Sequence, residues 1–159
     1  MKVMSIGSTS GVFAREFDEI GRTVQVGFAG GRVIAVSFPA EPPADADTDH
    51  DLLDRIGAYL RGERDEFAEV AIGLTVPTPQ RDVLESLRTL PYGEEVTVSR
   101  LARLGGFDPD DPDDLEAVTD ALADNPIPVL LPDHRVSGGP YATPGDTRAA
   151  LRSIEGIES

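Results

Sequence analysis

The sequence contains no cysteine. That excludes disulfides, thiolate metal sites and thiol nucleophiles at once. Lysine is nearly absent: Lys2 stands alone among 14 basic residues, the rest being arginine. Histidine is confined to His50 and His134. A metal site would therefore rest on carboxylates, and no zinc-type spacing is present, so no metal and no cofactor is expected. No apolar run approaches the ~18 residues that span a bilayer. The stretch from Met1 to Thr9 lacks the apolar core of a secretory signal. The expectation is a soluble, cytoplasmic, monomeric protein that does not engage membrane. At 159 residues, 40% of them hydrophobic, it has enough core for one ordinary domain or two small ones sharing an interface.

What is abundant is carboxylate. There are 29 acidic residues against 14 basic ones, for a net charge of −15. With lysine so scarce, this balance points to a halophilic protein, whose surface carboxylates hold water while molar salt screens their repulsion. An ordinary acidic protein is the alternative. In either case the global field opposes indiscriminate binding to nucleic acid.

The first third reads as β. Segments Gly11 to Asp18, Arg22 to Ala29 and Arg32 to Phe38 are short and rich in Val, Ile and Phe, and Gly30-Gly31 signals a tight hairpin. After a Pro/Ala/Asp loop, Asp49 is the expected N-cap of a helix carrying Leu53, Ile56, Tyr59 and Leu60, stopped by Gly62. Val76-Pro77-Thr78-Pro79 marks a domain boundary, because two prolines deny the backbone continuous structure. Beyond it lie a helix with Val83, Leu84 and Leu87 and a short helix capped by Thr97. A third helix presents Leu115, Val118, Ala121 and Leu122, and a final one runs from Gly145 to Ile154. The second and third of these make a helix-turn-helix candidate.

Several motifs then fall in order. Leu90-Pro91-Tyr92-Gly93-Glu94 resembles an IPYGE turn. Asn125-Pro126-Ile127-Pro128-Val129-Leu130-Leu131-Pro132-Asp133-His134-Arg135-Val136 resembles an NPIPILIPCHRV block, and Ile154-Glu155-Gly156 closes an LLxxEG-like end. Together they resemble the methylated-DNA–protein-cysteine methyltransferases over nearly the whole chain. The resemblance implies an α+β fold. Residues 1–76 would form an N-terminal, ribonuclease-H-like α/β domain around a small antiparallel sheet. Residues 77–159 would form a C-terminal helical, winged-helix-like domain carrying the helix-turn-helix. It also implies a reaction in which a flipped base gives its O6-alkyl group to a cysteine thiolate. His134 matches the activating base, Glu155 its orienter and Arg135 the adjacent structural arginine. Asn125 matches the residue bridging helix-turn-helix and active-site loop, Pro132 lies in the pocket loop, and Tyr141 matches a pocket tyrosine.

The departures decide more than the matches. Asp133 stands at the acceptor-cysteine position, and a carboxylate is a poor nucleophile toward an alkyl carbon. Val98 replaces a tyrosine implicated in rotating the target phosphate, and Glu116 replaces the arginine finger. Asp108, Asp110, Asp111, Asp113, Asp114, Glu116, Asp120 and Asp124 crowd the stretch that would face DNA, with no lysine or arginine between Leu104 and His134. Arg100 and Arg103, with Arg135, are the local basic groups able to meet phosphate, while Ala117 and Ala121 would be the small residues reading a minor groove. Arg148 and Arg152 read as solvated helix charges.

Three functional classes remain. The first is non-enzymatic recognition of O6-alkylguanine in double-stranded DNA, flagging it for a repair protein. The second is an interaction module for a basic partner that has left DNA. The third is an Asp133/His134 site that hydrolyses or accepts methyl. The first is favoured because the PxHRV-type loop persists.

Overall fold

The computed structural model describes residues 11–157, so the reading of the leader lies outside the described residues. No described helix is long and apolar enough to cross a membrane. Strands β1 (Gly11–Phe17), β2 (Arg22–Ala29) and β3 (Arg32–Ser37) form an antiparallel sheet in that order. Between β2 and β3, Gly30 and Gly31 take φ of 59° and 81°, the left-handed geometry that a two-residue hairpin demands and side chains resist. The pairing shifts register at Gly27/Phe28. That irregularity lets Val33 and Val36, three residues apart, both enter the core.

Helix α1 (Asp51–Leu60) lays Leu53, Ile56, Tyr59 and Leu60 inward. Its cap is not Asp49 but His50, whose Nδ1 accepts from the Leu52 N–H at 3.0 Å. The imidazole is held between Phe13 and Phe28, with ring centroids at 4.7 and 4.4 Å. Aromatic packing thus fixes a nitrogen where a solvated aspartate was expected, and Asp49 donates its own N–H to Asp47 instead. Downstream, Ala71 and Gly73 pair with Val33 at 2.9 Å on the free edge of β3.

The second half is helical: α2 (Thr78–Arg88), α3 (Val98–Leu104), α4 (Pro112–Ala123) and α5 (Gly145–Glu155). Thr97 caps α3, accepting from Arg100 N–H at 3.1 Å, and Asp111 caps α4 ahead of Pro112. Helices α3 and α4 both pack on α2 and on each other, as a helix-turn-helix would. The β-structure of this half, among the described residues, is a two-residue parallel pair, β4 (Val96–Thr97) with β5 (Val136–Ser137). Among the described residues of this half no strand hairpin forms a wing. Helix α2 opens right after Pro77, at the junction read from the prolines. The apolar core nonetheless runs continuously across it, and Val36 N–H donates to Pro126 O at 2.9 Å.

Leu53 is fully buried whereas Leu104 is 46% exposed. Leu53→Ala is expected to cost about 2–5 kcal/mol, and Leu104→Ala less than about 0.5 kcal/mol. Urea unfolding in KCl checks this: the midpoint should drop at unchanged slope for Leu53→Ala and stay put for Leu104→Ala.

Candidate functional site

The loop after α4 is buried yet irregular, so its backbone needs partners from outside regular structure. Asn125 supplies them. Its Oδ1 accepts from Ile127 N–H at 3.0 Å, and its Nδ2 donates to Leu131 O at 2.8 Å and to Asp133 Oδ2 at 3.2 Å. One amide therefore ties the end of α4 to the PxHR turn. Within the loop Val129 has φ of 79°, a conformation that costs a β-branched residue on the order of 1–3 kcal/mol. Its side chain is buried at 5% exposure, and that packing holds the strained backbone in place.

Pro132 leads into a 3-10 turn, Asp133–Arg135, in which all three side chains are buried. Glu155, from α5, reaches into it. Its Oε2 accepts from His134 Nε2 at 2.7 Å, Arg135 Nη2 at 2.9 Å and the Tyr59 hydroxyl at 2.5 Å. Its Oε1 accepts from Arg135 Nε at 2.8 Å and Gly93 N–H at 2.9 Å. Burial resists the charge on Glu155, but bonds from His134, then Arg135, outweigh it and hold the carboxyl well below the usual range. Burial and then the Glu155 charge push the Tyr59 phenol above its ordinary value. Tyr59 was read as a core residue of α1. Its role in the site is invisible in sequence, because only the fold brings position 59 to position 155. Arg135 also donates to Leu90 O at 2.7 Å.

Asp133 has a separate set of partners. It is fully buried. Oδ1 accepts from the Thr143 hydroxyl at 2.6 Å. Oδ2 accepts from Ala142 N–H at 3.0 Å, Thr143 N–H at 3.4 Å and Asn125 Nδ2. Thr143, unmarked in the sequence, thus pins the 137–143 loop onto the acceptor position. Asp133 and His134 share no hydrogen bond. Glu155 occupies the Nε2 side of the ring, and the His134 Nδ1 is buried and has no hydrogen-bond partner among the described residues. A nucleophile–base pair is therefore not assembled.

The remaining expected site residues scatter. Tyr141 is 39% exposed and stacks with Arg148, whose guanidinium lies 4.4 Å from the ring centroid, so it points away from Asp133's partners. Val98 and Ala121 are buried, at 9% and 1% exposure, and cannot touch a groove; they pack the helix-turn-helix together. Arg100, Arg103 and Glu116 are exposed and Ala117 is half-buried. Arg152 is not a solvated charge. It is 3% exposed, donates to His134 O at 2.9 Å and pairs with Glu95 at 2.6 Å. Arg148 likewise donates to Val136 O at 2.8 Å.

Fold and turn together define a DNA-alkyltransferase-type scaffold with a carboxylate, Asp133, in its PxHR turn. The family model of the 6-O-methylguanine DNA methyltransferase DNA-binding domain matches residues 78–154. The methylated-DNA–protein-cysteine methyltransferase of Methanopyrus kandleri is 33% identical over 107 residues, 65% of this chain and 77% of that protein. A DNA base-flipping protein of Thermus thermophilus is 32% identical over 100 residues, 62% of this chain and 64% of that one. The crystal structure of Mycobacterium tuberculosis OGT in complex with DNA superimposes with a TM-score of 0.71 at 25% identity, covering 91% of each chain. Matches to the first curated relatives span from 77% down to 49% of their length. The chain belongs to the methylated-DNA–protein-cysteine methyltransferase family, and it lacks the cysteine for which that family is named.

Two predictions follow the geometry. Because the folded-state pKa of Glu155 lies below its ordinary 4.5, its contribution to stability is full above that value. The contribution declines as pH falls below it toward the folded pKa. Glu155→Gln should weaken the protein at neutral pH and flatten this acid limb, read by urea melts at stepped pH. Asp133→Ala strands the Thr143 hydroxyl, the Asn125 amide and the Ala142 N–H, and should cost about 3 kcal/mol, visible as a lower thermal midpoint.

Proposed function

We propose that this chain recognises O6-alkylguanine in duplex DNA without removing the alkyl group, presenting the lesion to a repair protein. One observation carries the reading: the residue at the acceptor position is spent as a hydrogen-bond acceptor for the loop around it, while the loop's supports are retained. Asn125 still bridges α4 to the turn, and Glu155 still fixes His134 and Arg135. A carboxylate with Thr143, Asn125 and Ala142 as donors has little reactivity left for a methyl carbon. The similarity to a protein named for base flipping supports binding without chemistry. On this reading the protein works as a cytoplasmic monomer without a cofactor, in salt that screens its own charge.

A hydrolytic role for Asp133 finds no support, since His134 does not bond to it. A second reading, contact with a basic protein partner, draws on the surface: Glu116 and the aspartates from Asp108 to Asp113 are exposed on the helix-turn-helix, where they oppose phosphate.

The test is a titration into a labelled duplex bearing one O6-methylguanine, beside an unmodified duplex, from low to molar KCl. Preference for the lesion is expected. Glu116→Arg should tighten binding by about tenfold, the equivalent of ~1.4 kcal/mol, and the intact mass of the protein should not change. Equal or absent binding wherever the protein is folded would shift the assignment to the protein-partner reading. A methyl gain on Asp133 would overturn the non-enzymatic one.

A further inference from the structure

The arginines of this chain fall into two groups. Arg15, Arg22, Arg55, Arg61, Arg64, Arg135 and Arg152 each lie within 4.0 Å of a carboxylate. With 29 acidic residues to 14 basic ones, pairing is the default. Arg32, Arg81, Arg88, Arg100, Arg103 and Arg148 make no ion pair among the described residues, and the first three of these line one cavity. The cavity has a volume of about 370 Å³ and lies between β3, the segment after Ala71 and the outer face of α2.

The geometry of the three is organised rather than accidental. Arg81 Nη2 donates to Leu74 O at 2.9 Å. Arg88 Nη2 donates to Phe67 O at 2.8 Å and to Val70 O. Backbone carbonyls thus anchor two guanidiniums and leave further N–H groups unspent, and the Arg88 Nε–H is buried without a partner. Burial also lowers the Arg88 pKa, so its charge is held against a desolvation cost that a bound anion would offset. Arg32, on the hairpin side of β3, carries no side-chain hydrogen bond among the described residues. Glu85 is the one carboxylate lining the cavity; Gly73 and Thr75 also line it, and Ile34, which is 41% exposed, makes an apolar wall with Ile72 and Leu74.

Three guanidinium forks match the oxygens of a phosphate or carboxylate. Their combined charge exceeds what one carboxylate neutralises and suits a phosphate monoester, which carries nearly two negative charges at neutral pH. An apolar wall beside them adds a surface for a flat or hydrocarbon group. Ligand cavities run from about 300 Å³ upward, so this one takes a molecule of nucleotide size. We propose that the cavity bounded by Arg32, Arg81 and Arg88 is a binding site for a phosphate monoester borne on an apolar or aromatic group, as in a mononucleotide. The same chemistry is offered by a free nucleotide and by the terminal 5′-phosphate of a DNA strand. The site lies apart from the Asp133 turn and stands whether or not that turn reads lesions.

The test uses the full chain at the lowest KCl concentration at which it is folded. Adenosine 5′-monophosphate, adenosine and inorganic phosphate are titrated, following Arg Nε–H and backbone amide resonances. Saturable shifts at Arg32, Gly73 and Arg81 are expected with the monophosphate, weaker ones with inorganic phosphate and none with adenosine. Arg32→Gln/Arg81→Gln should raise the monophosphate Kd at least tenfold at little-changed thermal midpoint. Arg61→Gln/Arg64→Gln, which removes equal charge elsewhere, should leave it unchanged. A 5′-phosphorylated oligonucleotide beside its 5′-hydroxyl twin then separates the two sources: preference for the phosphorylated strand assigns a DNA end, and indifference with retained mononucleotide binding assigns a free nucleotide. Identical behaviour of monophosphate and adenosine, an unchanged Kd in the Arg32/Arg81 variant, or shifts spread over the other arginines would overturn the site.

Discussion

The buried carboxylate of Glu155 is the constraint on which the rest of the structure depends. Its side chain is completely inaccessible, and a buried charge is tolerated only when paired and fully hydrogen-bonded. Meeting that demand draws Tyr59 from α1, Gly93 from the turn before β4, and His134 and Arg135 from the 3-10 turn to one point on α5. Arg135 neutralises the charge and also holds Leu90 O, so the end of α2 is fastened to the same cluster. The two halves of the molecule are joined by this polar knot as much as by their shared apolar core.

Asp133, next to that knot, shows how the residue type at one position sets a site's chemistry. A thiolate asks for few hydrogen bonds and is useful because it remains reactive. A buried carboxylate asks for several, and Asn125, Ala142 and Thr143 provide them. The gain is a loop fixed in place. The consequence is that Asp133 is committed elsewhere and His134 keeps an unpartnered Nδ1. The neighbouring Tyr141, 39% exposed and stacked with Arg148, belongs to the same loop.

Electrostatics divide the surface. Most arginines are tied to carboxylates, which leaves the excess acid to set the outer field, and the helix-turn-helix carries a dense part of it. An arrangement that repels phosphate at Glu116 and collects guanidiniums between β3 and α2 separates two kinds of anion contact on one small protein. Molar salt weakens long-range repulsion more than contacts within a partly enclosed cavity.

The sequence by itself determined the elements and their chemistry. Alternating Val and Phe, the Gly30-Gly31 hairpin, Thr97 as a cap and the 3.6-residue spacing of Val83, Leu84 and Leu87 are local signals, decided by backbone sterics and by which face meets water. The PxHR-type block showed that cysteine was missing, because that is a property of one position. The tertiary structure decided what no local pattern encodes. His50, not Asp49, caps α1, since only the packed sheet places Phe13 and Phe28 around the imidazole. Val98 and Ala121 are buried, although as single residues they read as surface contacts. Arg152 is spent on His134 and Glu95, although its helix spacing suggested solvent. Tyr59 and Thr143 join the site from 96 and 10 residues away from their partners. A side chain's partners are set by distance in space, and for a buried polar group those partners decide whether it reacts, binds or holds the fold together.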